Sequence, residues 1–450
     1  MASSGSSFPR TAQVAVVIAL IIGLVIGVVA APLVTPAPPG VVEKTVTVTP
    51  PAKTVTVTPP AKTVEKTVEV PVGLTGEIKI GSILPLTGAL ASYGENSKVA
   101  QLIGEKEVNE FLKRAGAPIT IKLVIEDTET KPDVALEKLK SLAAKGITII
   151  IGPQTSAEVR NLKGYADANK ILMVSQSSTA PELAIPDDYV YRFCPDDTVQ
   201  GPALSRIMYQ DGIRYLVPVW RGDAWGDGLK KTVVESFKAL GGEVVEGVRY
   251  APEAKEFSAE VRALSTAVQD LVDKYGADKV GVDYIAFAEA VTFFTQARDY
   301  DILWKVRWYG SDGTAQLDEL VKEPLGAEFA IATRFLSPIF AATKSEKYTK
   351  LVDQVKAELG RVPDTYAIAA YDEVWVLTYA LLSVGKYDAT AVKNVLPDIV
   401  RTYFGASGWI VLNPAGDRAF ADYELWVINE AYEWEWIGTY VFATESVTYF

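Results

Sequence analysis

The sequence predicts an α/β protein in which parallel sheets covered by helices are divided between two lobes. Three observations carry that expectation. The run Ile78-Lys79-Ile80-Gly81-Ser82-Ile83 ends in Leu84-Pro85-Leu86-Thr87-Gly88, Tyr93-Gly94 follows, and a helical pattern spans about Ser97 to Lys113. A strand that delivers a Gly-marked loop into a helix opens a βαβ unit. Strand-like and helix-like segments then alternate regularly from Glu77 onward. The chain has 450 residues, 49% of them hydrophobic, and the part beyond the N-terminal low-complexity region is too long for one compact lobe and comfortable for two.

Ahead of that region lie two unlike segments. Residues 1–34 contain an apolar run from Val14 to Ala31, preceded by Arg10, about long enough to cross a bilayer as a helix. Three outcomes fit it: a retained anchor with residues 1–10 inside, a secretion signal cut near Ala31, or processing near Ala12-Gln13 that leaves the run as an anchor or assembly helix. No lipobox cysteine adjoins it, so a thioether-linked lipid anchor is not expected. Residues 35–76 form a Thr/Val/Pro-rich stalk in which Thr-Val-Thr-Val-Thr-Pro-Pro-Ala-Lys occurs at Thr45–Lys53 and again at Thr54–Lys62. Two copies are too few for a solenoid core. Pro-Pro pairs and β-branched residues favour an extended chain, which at ~3.1 Å per residue reaches on the order of 90 Å. No Asn-X-Ser/Thr sequon occurs.

Residues 77–450 hold the alternation. Predicted strands are Glu77–Ile83, Thr120–Glu126, Ile147–Ile151, Ile171–Val174, Tyr215–Trp220, Glu243–Tyr250, Tyr284–Phe287, Val306–Tyr309 and Phe329–Thr333. Helical patterns separate most of them, over Lys131–Lys145, Ala157–Asn169, Gln200–Gln210, Gly228–Leu240, Ser258–Tyr275 and Ala290–Tyr300; two more, Lys344–Leu359 and Thr365–Leu382, follow the last strand. Asp422 to Tyr440 alternates with period two about Asn-Glu-Ala and reads as a hairpin.

Composition removes several function classes. The net charge is -12, which argues against nucleic acid or an anionic lipid surface as the main partner. There is one cysteine, Cys194, and no histidine. No intrachain disulfide forms, Cys/His zinc sites are excluded, and the commonest general base is missing. Cys194 reads as a small buried hydrophobe rather than a nucleophile. Neither a Gly-X-Gly-X-X-Gly nor a Walker A pattern appears. No enzymatic activity, cofactor or metal is expected.

Candidate binding groups sit in loops after strands, where open α/β sheets place ligands. Thr155-Ser156-Ala157-Glu158 and Thr179-Ala180-Pro181-Glu182 carry capping-box patterns. Each reads either as plain helix capping or as hydroxyls and amides gathered at a helix N-terminus for an anion. Asp312 in Gly310-Ser311-Asp312-Gly313 is either an ordinary turn residue or the counter-charge for a ligand ammonium. Tyr93, Trp225 and Phe287 occupy comparable positions and read as core or as pocket walls.

An ordered set of motifs adds to this reading: Ile-Gly-Ser-Ile-Leu-Pro-Leu-Thr-Gly from Ile80, Val-Ile-Glu-Asp from Val124, Ile-Gly-Pro-Gln-Thr-Ser from Ile151, Gln-Gly-Pro-Ala-Leu from Gln200, Trp-Gly-Asp-Gly-Leu from Trp225, Gln-Ala-Arg from Gln296 and Tyr-Gly-Ser-Asp-Gly from Tyr309. In that order they resemble the branched-chain amino-acid-binding proteins of ABC importers, the type I periplasmic-binding-protein fold. The resemblance spans nearly all of residues 77–420. It implies two Rossmann-like lobes with three crossings and hinge closure, lobe one at about 77–196 and 336–403 and lobe two at about 197–335 and 404–450. It further implies Ser156 and Thr179 as hydroxyls for an α-carboxylate, the Ser177 backbone as a further contact, Asp312 against the α-ammonium, and Tyr93, Trp225 and Phe287 around the ligand. Ser175-Gln176-Ser177-Ser178, where Pro often follows the first Ser, and Trp225, where Tyr is usual, depart from the common pattern. The function so implied is an extracellular solute-binding protein, tethered by its N-terminal helix or secreted if that helix is cleaved, that captures a small amino acid, branched-chain or otherwise apolar, by hinge closure and delivers it to an ABC permease. The alternatives are an amide, urea-like or aromatic-acid ligand on the same fold, or an extracellular sensor or surface protein.

Overall fold

The computed structural model describes residues 55–57, 64–66 and 73–450. The predicted membrane helix and most of the predicted stalk lie outside those residues. Val55–Val57 pairs antiparallel with Val64–Lys66.

From residue 73 the chain builds two parallel sheets. The first takes β1 (Gly76–Leu84), β2 (Ile119–Asp127), β3 (Ile149–Ile151), β4 (Leu172–Ser175) and β5 (Val190–Arg192), joined by α1 (Ala91–Arg114), α2 (Pro132–Ala144) and α3 (Ser156–Asn169). Its order is 2-1-3-4-5, so the direction of winding reverses between β1 and β3, the place where such sheets open a crevice at their carboxyl ends. β1 turns from exposed at Gly76 and Glu77 to continuously buried from Ile80 to Leu84, as a central strand covered on both faces must. A Cβ on Gly81 would stand 2.5 Å from Ile150 Cδ1, and one on Gly94 would stand 2.2 Å from the Pro85 carbonyl oxygen. The two glycines let β3 close on β1 and let the first turn of α1 lie on the preceding loop, which fixes where Tyr93 stands.

The second sheet takes β6 (Tyr215–Arg221), β7 (Glu243–Val244), β8 (Val248–Tyr250), β9 (Val280–Ile285) and β10 (Arg307–Tyr309). Its order is 8-6-9-10, with β7 also on β6. It is wrapped by α4 (Asp197–Gln210), α5 (Ala224–Ala239), α6 (Ser258–Tyr275) and α7 (Ala290–Ala297). α8 (Asp318–Lys322) and α9 (Pro324–Ala332) follow β10. Phe329–Thr333, predicted as a strand, therefore belongs to a helix and its C-cap. A short apolar run cannot tell the two apart. The start signals decide it: Pro324 occupies the first turn and the Glu323 side chain accepts from Gly326 N.

After β11 (Ser337–Phe340) the chain supplies α10 (Glu346–Leu359), α11 (Thr365–Val384) and α12 (Ala389–Thr402) to the first lobe. There Tyr387 Oη accepts from Thr148 N at 3.1 Å and Lys393 Nζ donates to the Asp187 carbonyl at 2.8 Å. α11 is long and apolar enough to cross a membrane, but most of it is buried in this lobe. One short pair, β12 (Phe404–Gly405) with β13 (Gly408–Trp409), leads to β14 (Tyr423–Ile428), β15 (Trp434–Val441) and β16 (Ser446–Tyr449). The predicted C-terminal hairpin is thus part of a four-stranded antiparallel sheet, order 11-14-15-16. It is fastened to the second lobe by Gln210 Nε2 to Val447 O at 3.1 Å and Trp434 Nε1 to Leu317 O at 3.0 Å.

Asp283 is an anomaly within this frame. It lies in the central strand β9, fully buried, and neither carboxylate oxygen has a partner among the described residues. Burial raises its pKa from 3.8 to about 8. Between those values the folded chain holds a proton that the unfolded chain has released, so this group's contribution to stability falls as pH rises through the window. Asp283→Asn is expected to raise the thermal midpoint at about pH 8 and to flatten its decline from about pH 5 upward. An unchanged slope in pH-dependent calorimetry would count against it.

Candidate functional site

The carboxyl ends of the two sheets face each other, and the predicted site residues sit on them. Tyr93 is in the first turn of α1, after β1, and Ser156 opens α3, after β3. Ser177 and Thr179 follow β4. From the other lobe, Trp225 lies in the first turn of α5, Phe287 is two residues past β9, and Asp312 follows β10. Six of the seven line one cavity together with Leu90, Gln154, Thr155, Gly313 and Tyr366. The cavity is small, ≈ 20 Å³, room for about one water. The lobes meet closely around it.

Thr179 stands apart from that lining. Its hydroxyl donates to Asp197 Oδ2 at 3.1 Å and its N–H to Ser156 Oγ at 3.1 Å. Ser156 Oγ also accepts from Ala180 N at 3.0 Å and Ser178 Oγ at 3.1 Å. That leaves the Ser156 hydroxyl proton to donate, beside first-turn amides that have no intrahelical acceptor. The predicted Thr155…Glu158 capping box is present, with Glu158 N on Thr155 Oγ1 at 3.2 Å and Thr155 N on Glu158 Oε2 at 3.0 Å. The predicted Thr179…Glu182 box is not formed. Pro181–Leu183 makes a single 3₁₀ turn whose N-cap position is Ala180, with no side-chain cap, and the Thr179 hydroxyl is on Asp197.

The loop bearing Ser177 to Ala180 is fixed from below. Arg192 is fully buried and binds Asp417 through both ends, Nε to Oδ1 at 2.6 Å and Nη2 to Oδ2 at 2.7 Å. Its remaining nitrogen, Nη1, donates to the carbonyls of Ser178 at 3.0 Å and Ala180 at 2.8 Å. One guanidinium thus ties the end of the first sheet to the loop and to the segment ahead of β14. Cys194 is buried beneath the same loop, its Sγ 3.4 Å from Ser178 O.

On the opposite wall Asp312 is 3% exposed. Its Oδ2 accepts from the Tyr366 hydroxyl, and its Oδ1 has no donor among the described residues. Burial raises its pKa above the ordinary carboxylate value, with the Tyr366 hydrogen bond opposing. A second buried acid, Asp197, is pushed well above its usual range by burial and then by the charge of Asp312. Gln200 links the two, with Nε2 on Asp197 Oδ1 at 3.0 Å and Oε1 accepting from Asp312 N at 3.0 Å. Arg192, the nearby cation, is already committed to Asp417 and two carbonyls. The apolar walls are Tyr93, whose hydroxyl donates to the Asp312 carbonyl at 2.9 Å, and Trp225 stacked on Phe287 with centroids 4.6 Å apart. The Arg221 guanidinium backs Phe287 at 4.6 Å.

Tyr366, Asp197, Gln200 and Gln154 were not singled out from the sequence as site residues. Gln154 and Gln200 stand inside motifs quoted above, so a signal existed. Tyr366 follows a helix cap at Asp364 rather than a strand, which is why a search at strand ends passes over it.

Residues 77–428 match the family described as periplasmic binding protein, and the chain belongs to that family of non-enzymatic binding proteins. An uncharacterised protein of Methanocaldococcus jannaschii is 33% identical over 83% of this chain and 91% of its own length. A Leu/Ile/Val-binding protein of Rhizobium johnstonii is 26% identical over 80% of this chain and 92% of its own. Among solved structures, a leucine-binding protein of Thermotoga maritima superposes with a TM-score of 0.70 at 22% identity, covering 80% of this chain and 98% of that one. An ABC-transporter solute-binding protein of R. palustris in complex with benzoate gives 0.66 at 17% identity, covering 83% and 98%.

Removing one member of a buried ion pair strands the other, at a cost of about 3–5 kcal/mol. Arg192→Met is therefore expected to lower the stability of the fold by about that amount, read as a lower urea midpoint with the slope unchanged. A midpoint within error of the parent would show that the pair does not brace the loop.

Proposed function

We propose that this protein captures a small amino acid, branched or otherwise apolar, by closure of its two lobes at the extracellular face of the membrane, and that it hands the ligand to an ABC permease. The reading rests above all on Asp312. A buried carboxylate oxygen with no donor is costly, and a ligand ammonium would satisfy it. The Ser156 hydroxyl and the amides at the start of α3 suit an α-carboxylate at the opposite end. Tyr93, Trp225, Phe287 and Leu90 suit an apolar side chain between them. The match to a Leu/Ile/Val-binding relative points the same way. Tethering by the N-terminal helix, with the repetitive segment as spacer, completes the proposal.

The aromatic walls favour a second reading, a flat aromatic acid such as the benzoate held by the R. palustris protein. A benzoate carries no cation and would leave Asp312 and Asp197 uncompensated. The zwitterionic ligand is therefore preferred.

Two outcomes are expected. Asp312→Asn weakens binding of L-leucine by about 2–5 kcal/mol in calorimetry. In the parent chain affinity for L-leucine falls as pH drops through the raised pKa of Asp312, because the ammonium pairs with the ionised form, and the Asn variant loses that dependence. Equal affinities for parent and variant, or the same pH profile in both, would remove the amino-acid reading.

A further inference from the structure

The mouth of the cleft carries an interlobe contact outside the ligand cavity. α1 starts without a cap of its own. Leu90 stands at the N-cap position with no side-chain acceptor, and its first turn contains no acid. The N-terminal amides of a helix need acceptors, and its positive end favours an anion. Here the anion comes from the other lobe. Ser92 N donates to Glu319 Oε1 at 3.1 Å and Ser92 Oγ donates to Glu319 Oε2 at 2.6 Å, so both carboxylate oxygens are used.

The neighbouring acid repeats the connection. Asp318 Oδ2 lies 3.5 Å from Arg361 Nη1. Arg361 is held on the first lobe by Glu95 Oε2 at 2.6 Å, Asn96 Oδ1 at 3.0 Å and Ser92 O at 3.3 Å. Lys322 neutralises Asp318 at 2.5 Å and leaves Glu319 directed at the helix end. Two consecutive acids of α8 thus bear on one helix terminus of the opposite lobe.

We infer that Glu319 is a positioning residue that latches the lobes: a helix cap supplied in trans, which biases the cleft toward its closed form before any ligand enters. Hinge opening withdraws both carboxylate oxygens from Ser92 and leaves α1 uncapped, so the open form loses what a cap contributes. A bias of this kind raises the apparent affinity for every ligand by one common factor, because more of the population is already competent. The inference rests on lobe closure and not on the amino-acid reading; no ligand takes part in its test.

Spin labels at Lys131→Cys and Glu253→Cys, exposed positions beyond the ends of β2 and β8, report the width of the cleft in the full chain by pulsed electron paramagnetic resonance, while buried Cys194 stays unlabelled. Without ligand, the labelled chain is expected to be mostly at short distance. Glu319→Ala is expected to raise the open fraction about fivefold. Ser92→Ala gives part of that shift, and the double variant shifts no further than Glu319→Ala alone. The inference is overturned if the parent is already open, if Glu319→Ala leaves the distances unchanged, or if the two substitutions act additively. Faster amide exchange over residues 91–95 with unchanged distances would mean a local cap without a latch, and would also overturn it.

Discussion

Asp312 imposes the constraint to which the cleft answers. Its carboxylate is buried between the lobes, holds a hydrogen bond from Tyr366, and its other oxygen has no donor among the described residues. Asp197 stands close enough for the two charges to raise one another's cost, and the nearby guanidinium of Arg192 is already spent on Asp417. Two acids kept from water without a cation are stable only as partly protonated groups or with a cationic visitor. The cavity beside them holds little more than a water molecule and is walled by stacked Trp225 and Phe287.

The rest of the architecture serves to bring that acid opposite donors from the other lobe. The predicted site residues sit beyond the carboxyl ends of parallel strands, and the meeting of the two sheets end to end brings six of the seven, from Tyr93 to Asp312, to one cavity. Precision comes from a few rigid devices. Gly94 allows α1 to rest on the backbone at Pro85, Arg192 staples the Ser178–Ala180 loop from beneath, and Gln200 spans Asp197 and the Asp312 amide. Glu319 lies at the rim, where it trades an uncapped helix for a bridged one without touching the cavity.

Much of this was legible in the sequence because it follows from local rules. The strand–loop–helix rhythm, the Thr155–Glu158 box and the strand-end position of Asp312 are short-range patterns, and the structure carries each of them. What was not legible depends on partners distant in the chain. The Thr179 hydroxyl is drawn away from the cavity by Asp197, which no spacing rule connects to it. Tyr366 reaches Asp312 from a helix that follows no strand. Phe329–Thr333 is apolar in a way that suits strand and helix alike, and only Pro324 and Glu323 ahead of it decide the outcome. The C-terminal hairpin was visible by alternation, while its pairing with Ser337–Phe340 required tertiary contact.

The account depends on a cation being needed where Asp312 waits. Calorimetric titration of the full chain with L-leucine and with 4-methylpentanoate, which keeps the carboxylate and the side chain but lacks the amine, isolates that need. The account predicts that leucine binds and that the deaminated acid binds at least tenfold more weakly, by ~1.4 kcal/mol or more. Equal affinity for the two, or tighter binding of the acid or of benzoate, would contradict it.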